Sequence, residues 1–210
     1  MNSLLKFLCL FVLLAHLWSP AVTSAGVSDP DAKVLERLEQ LSAGIETIAS
    51  DFTQEKYLAV FQDVMLSTGR FYFKKPSLLR WELTRPVASG FVLKGSAGYR
   101  WHQRTGRSET FDIDREPVMK IVAEQLLACA GADFDWLRQK YQIVVEAEGP
   151  VRLRLDPLFD TAGFLEYLQI QFAPDGRHVQ QVEVHETDGD FTRLRFENAI
   201  INQPLAAELF

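Results

Sequence analysis

The stretch GRFYFKKPSLLRWELTRP, residues 69–86, decides the fold. Phe71 and Phe73 alternate with Arg70, Tyr72 and Lys74; Leu79, Trp81 and Leu83 alternate with Arg80, Glu82 and Thr84. A period of two sends successive side chains to opposite faces of an extended strand. Pro76-Ser77 between the two runs reads as a turn. If that turn keeps parity, Phe71, Phe73, Leu79, Trp81 and Leu83 share one apolar face, and the other face is wet.

The same period recurs outward from this hairpin. Val151, Leu153 and Leu155, then Leu168, Ile170 and Phe172, then Val182 and Val184, then Leu194 and Phe196 each alternate with polar neighbours. Pro174-Asp175-Gly176 and Asp188-Gly189 are tight-turn signals between such runs, so the runs pair as hairpins. With residues 91–94, 99–102, 109–113 and 141–147 the meander reaches about ten or eleven strands. No repeat or linker interrupts it, which gives one domain over residues 26–210.

Helical spacing is confined to three stretches. Val34, Leu35, Leu38, Leu41, Ile45 and Ile48 form a 3.6-period stripe, which predicts an amphipathic helix over Asp31–Ala49 with Asp29 or Asp31 at its cap. Met119–Ala130 is a second helix stopped by Gly131, and Asp133–Gln139 a short third.

The first 25 residues read as an address. Met1–Lys6 carries one positive charge, Phe7–Leu17 is apolar except for His16, and Ser19–Ala25 is small or turn-favouring. That is the order of a secretory signal peptide, with cleavage expected after Ala25. The apolar run falls short of the roughly 18 to 20 residues that a membrane span needs. Cleavage leaves Cys129 as the one cysteine and so no internal disulfide.

Composition narrows the function. At 210 residues, 47% hydrophobic and 24% charged, the chain can bury a sizeable core. A net charge of −6 offers no basic footprint, so no nucleic-acid partner is expected. No H-E-x-x-H, G-x-S-x-G, phosphate-binding loop or dinucleotide fingerprint occurs. Cys129 on an apolar helix reads as a small core residue. Asp112, Asp114 and Glu116 read as the wet side of an edge strand, because the turn glycine and distal glutamate of a calcium loop are missing. No enzyme, cofactor or metal site is therefore expected.

Topology then bears on function. A sheet of that many strands twists and curls in water, and something must cover its apolar concave side. Two architectures remain open on pattern alone. One is a sandwich of two packed sheets. The other is one curled sheet with the helices as a thin lid, which leaves room for a hydrophobic ligand.

Three stretches carry a family resemblance: Phe52-Thr53-Gln54; the strand, turn and strand of residues 69–86; and Leu93-Lys94-Gly95 leading into Tyr99-Arg100-Trp101. In order and spacing they resemble the LolA-type periplasmic carriers of outer-membrane lipoproteins. The likeness extends over most of the chain after the signal peptide and is weakest after Tyr141. It implies a mainly β fold with α: a single curled antiparallel sheet, an unclosed β-barrel with a helical lid over a hydrophobic cavity. It also implies a monomeric periplasmic carrier. Such a carrier takes the acyl chains of a lipoprotein from an inner-membrane exporter to an outer-membrane acceptor. The residues expected around the cavity are Phe52, Phe71, Phe73, Leu79, Trp81, Leu83, Leu38, Leu41 and Ile45. Lys75 stands where the family's best-known carrier has an arginine that latches the lid, which makes Lys75 the latch candidate. The chain stops at Phe210, where family carriers often continue. A relative that carries another lipid (a glycolipid or polyene lipid) and a lipid-sensing regulator are the alternative readings.

Overall fold

The computed structural model describes residues 30–60, 63–159 and 164–210. The expected signal peptide lies outside the described residues.

The first helix, α1 (Pro30–Ser42), precedes six strands. These are β1 (Thr47–Leu58), β2 (Asp63–Lys74), β3 (Leu78–Arg85), β4 (Ser89–Lys94), β5 (Ala97–His102) and β6 (Arg107–Asp112). Two helices follow, α2 (Pro117–Gly131) and α3 (Phe134–Lys140). The remaining strands are β7 (Tyr141–Glu148), β8 (Val151–Pro157), β9 (Leu165–Phe172), β10 (Val179–Glu186) and β11 (Phe191–Ile201).

All eleven strands join one sheet in the order β6-β5-β4-β3-β2-β1-β11-β10-β9-β8-β7. Every pairing is antiparallel. The sandwich alternative is thereby set aside. The two edge strands, β6 and β7, are consecutive in sequence, so the chain must cross from one edge of the sheet to the other between them. It makes that crossing as α2 and α3. The connection that leaves the barrel unclosed is therefore also its cover.

The register fixes which side chains meet. Phe71 pairs with Trp81, Phe73 with Leu79 and Gly69 with Leu83, so the β2–β3 turn keeps parity and the five expected residues share the concave face. The β9–β10 and β10–β11 turns carry Gly176 at φ 71° and Gly189 at φ 89°, a region of backbone space that a side chain disfavours. On the convex face, Glu183 accepts from Arg193 and Glu55 from Arg195, each at 2.7 Å, which forms a charged ladder across β10, β11 and β1.

One helix boundary corrects the sequence reading. The helix expected over Asp31–Ala49 ends at Ser42, and Ile48 lies in β1. The apolar spacing runs on, but partners distant in sequence take the backbone. Ser42 Oγ donates to the Arg177 carbonyl at 2.7 Å. Asn202 Oδ1 accepts from the Glu46 amide at 2.7 Å, and Asn202 Nδ2 donates to the Gly44 carbonyl at 2.7 Å. This side-chain clamp stands in for further helical turns. The second and third helices fall within about two residues of their expected bounds, but α2 includes Gly131 and its left-handed stop is Ala132 at φ 51°.

The core has two centres. One packs α1 and α3 on β7–β9, with Leu35, Leu38, Phe134, Leu137, Leu153 and Phe172 buried. The other lies over β1–β4, with Ile45, Ile48, Phe52, Phe73, Leu79 and Leu93 buried.

Candidate functional site

Between these two centres the concave side is not filled. A cavity of about 820 Å³ lies under α2, within the size range of ligand sites. Its sheet walls include Phe71, Trp81 and Phe91 on one side and Leu168, Val182, Val184, Leu194 and Phe196 on the other. Val122, Gln125, Leu126 and Cys129 of α2 form the roof, at the i, i+3, i+4, i+7 spacing of one helix face. Val179 and Val184 mark two points five residues apart along β10, so the hollow extends about 17 Å along the strands. Phe159 and Phe164 line it from the β8–β9 connection and are 38% and 63% exposed, which leaves an apolar rim facing water.

The polar groups in this lining are few. Gln54, Gln125, Ser50 and His178 contribute, but the Gln125 carbonyl accepts from the Tyr141 hydroxyl at 3.3 Å. The Ser50 hydroxyl donates to backbone carbonyls at 2.8 Å. His178 Nδ1 is buried without a partner, and burial holds its imidazole below the usual histidine range. Burial pushes the Cys129 thiol up to about 12, so it is neutral at ordinary pH. Nothing here assembles a nucleophile, a base and an oxyanion site. What the arrangement can do is exclude water from long apolar groups.

The structure distributes the expected site residues in layers. Phe71 and Trp81 line the cavity. Phe52 stands directly behind Trp81, with ring centroids 4.2 Å apart, and Phe73 and Leu79 are buried in the same packed centre. Ile45 is buried there too, after the end of α1. Leu83 borders a second hollow beyond Trp81. Leu38 and Leu41 surround a niche of about 50 Å³ beneath α1. Lys75 Nζ donates to the Ala43 carbonyl at 3.1 Å, which ties the β2–β3 turn to the end of α1, not to α2.

The α2 face, Phe159 and Phe164 were missed by sequence reasoning. Val182, Val184, Leu194 and Phe196 carried the right alternation and could have been included. The trio Asp112, Asp114 and Glu116 is not on one strand face. Asp112 accepts from the Asp114 amide, Asp114 pairs with Lys120, and Glu116 pairs with Arg100. Among the described residues Glu186, Asp188 and Asp190 bring three carboxylates together at the β10–β11 turn. Each already has work: Glu186 pairs with Lys56, Asp188 accepts from the Asp190 amide, and Asp190 accepts from the Ala59 amide. Among the described residues no helix is long and apolar enough to cross a membrane.

Comparison with known proteins bears on this geometry. The family profile of the outer membrane lipoprotein carrier protein LolA matches residues 43–210. The chain belongs to the LolA family. An outer-membrane lipoprotein carrier protein of Pseudoalteromonas translucida is similar to this LolA-family chain, 23% identical over 202 residues, 94% of this chain and 89% of that one. Another, from Methylococcus capsulatus, is 24% identical over 183 residues, 83% of this chain and 80% of that one. Among solved structures, an uncharacterised conserved protein of Thermus thermophilus shares the fold at a TM-score of 0.55 and 11% identity, covering 86% of this chain and 93% of that one. The LolA family is, by its description, one of carriers, in keeping with the apolar walls of the cavity.

Proposed function

We propose that this chain is a periplasmic carrier that shields the acyl chains of lipoproteins between the inner and the outer membrane. The observation that carries the reading is the unfilled cavity of about 820 Å³, roofed by α2 and walled by Phe71, Trp81, Leu194 and Phe196. Burial of an alkyl chain gains about 0.8 kcal/mol per methylene and needs no directional partner, so such a cavity binds acyl chains by area. Reversible transfer then requires only that the roof can move. An inner-membrane exporter would load the carrier and an outer-membrane acceptor would unload it, with no nucleic acid involved and the carrier acting as a monomer. Lys75 would hold α1 against the β2–β3 turn during this exchange.

The test is mass spectrometry of what co-purifies with the full chain recovered from the periplasm. Acylated polypeptide is the expected finding. Free or glycosylated lipid would move the assignment to a carrier of another lipid. A protein that is recovered empty and fails to bind an acyl probe in vitro would overturn the proposal.

A further inference from the structure

The concave face changes chemistry beyond Trp81 and Phe91. These two residues line the large cavity and also a second hollow of about 490 Å³, reached without leaving the concave side. Register places Arg100 opposite Phe91, His102 opposite Ser89, and Glu109 and Arg107 opposite Arg100 and His102. So where β1–β4 present phenylalanine, leucine and tryptophan inward, this part of β5 and β6 presents Arg100, His102, Arg107 and Glu109. The other end of the same two strands is apolar again, with Phe111 buried over Gly98. Met119 of α2 roofs this hollow as well.

These polar groups are not equally satisfied. Arg100 lies 2.7 Å from Glu109 and 2.6 Å from Glu116, so its charge is met. His102 Nδ1 is buried with no hydrogen-bond partner, and the imidazole makes no side-chain hydrogen bond among the described residues. An unspent imidazole inside a fold costs stability unless something else meets it. Arg107 is exposed and has no ion-pair partner among the described residues. A wall that only packed a core would not carry this run of polar groups around a hollow.

We infer that the second hollow is the head-group subsite of the carrier: it takes the glyceryl ester of an acylated ligand whose chains occupy the large cavity. The inference rests on the carrier reading and adds what that reading leaves open, namely where the polar end sits. Ester carbonyls offer acceptors, which suits an imidazole N–H, an arginine and the Ser89 hydroxyl side by side. The same glyceryl ester occurs in a lipoprotein's lipid anchor and in a free glycerolipid.

The experiment uses the full chain and three probes. N-phenyl-1-naphthylamine is apolar and lacks a glyceryl head; 1-monopalmitoylglycerol and a dipalmitoyl-S-glyceryl-cysteinyl peptide both carry one and are measured by displacement of the first. His102→Phe removes the imidazole, and Ser89→Phe fills the hollow from the facing strand. Both variants should weaken the two glyceryl esters by about three- to tenfold, the loss of one or two hydrogen bonds, and leave the naphthylamine affinity unchanged. Unchanged naphthylamine binding also reports an intact fold. Weakening of the lipopeptide alone, or of the monoacylglycerol alone, upholds the subsite and names its source. Equal weakening of all three probes, or no weakening of either ester in both variants, overturns it. A wild-type protein that binds none of the three overturns the carrier reading instead.

Discussion

Phe52 lies over Gly69, its cross-strand partner, so closely that a methyl group on Gly69 would stand 2.4 Å from the ring's Cζ and 2.3 Å from the Glu82 carbonyl oxygen. The aromatic residue of the Phe-Thr-Gln element and the glycine that opens the next strand are thus two halves of one contact, a ring covering a bare backbone. The ring also lies against Trp81 and Phe196, which both face the cavity. Gly69→Ala should therefore cost about 1–3 kcal/mol by overpacking. Thermal unfolding should show a Tm lower by several degrees, with a Trp81 emission shift as the wall moves. An alanine variant as stable as the wild type would mean that Phe52 yields freely and that the contact does not set the wall.

Arg100 reaches Glu116 at the start of α2, so the roof is tied at that end to β5. Both side chains are about one-third exposed, and such a pair contributes no more than about 1 kcal/mol. Glu116→Gln leaves Arg100 with Glu109 and so strands no charge. Amide exchange in the first half of α2 should rise about two- to fivefold, with β1, β2 and β11 unaffected. Acyl-probe association should quicken in step. Exchange unchanged in α2 would show that other contacts hold the roof.

Much of this was legible because alternation is a local property. The parity of Phe71, Phe73, Leu79, Trp81 and Leu83 follows from one tight turn, and the register keeps it. The end of α1 was not legible, since Ile45 and Ile48 fit the helical stripe and what redirects the backbone is Asn202, more than 150 positions away. The cavity side of α2 was hidden for another reason. Nine of the twelve positions from Met119 to Ala130 are apolar, so periodicity chooses a face only weakly. Phe159 and Phe164 sit in a connection with no period at all. Nor could alternation separate a wall from its backing: Phe52 and Trp81 share a face, but only packing shows that one ring hides behind the other.

Acid should weaken the protein through His178. Burial, chiefly, holds its pKa below 6.5, with Arg177 adding to the effect and Asp175 opposing it. Below pH 6.5 the unfolded chain takes up the proton first, so stability falls as pH drops from 6.5 through the folded-state value. Glu183 acts lower down. Burial raises its carboxyl, but hydrogen bonds from Arg193 and His185 outweigh that and hold it below 4.5, so its contribution is present above pH 4.5 and fades beneath. Denaturant midpoints between pH 7 and pH 5 should decline for the wild type and stay flat for His178→Phe. Parallel curves would remove His178 as the cause.

Cys129 provides a native reporter of occupancy. Its thiol lines the cavity roof and is raised from 9.0 to about 12 by burial, so the thiolate fraction at pH 8 is lower by on the order of a thousandfold than for a free thiol. An anionic disulfide reagent should label the native protein at least about a hundredfold more slowly than the urea-unfolded chain. A small neutral thiosulfonate should enter the empty cavity and react measurably faster than the anionic reagent. Bound acyl chains occupy the same space and should suppress that remaining reaction in proportion to saturation. If saturating acyl ligand left the rate untouched, the chains would lie away from the α2 roof, and the cavity between the two packed centres would lose its claim as the carrier site.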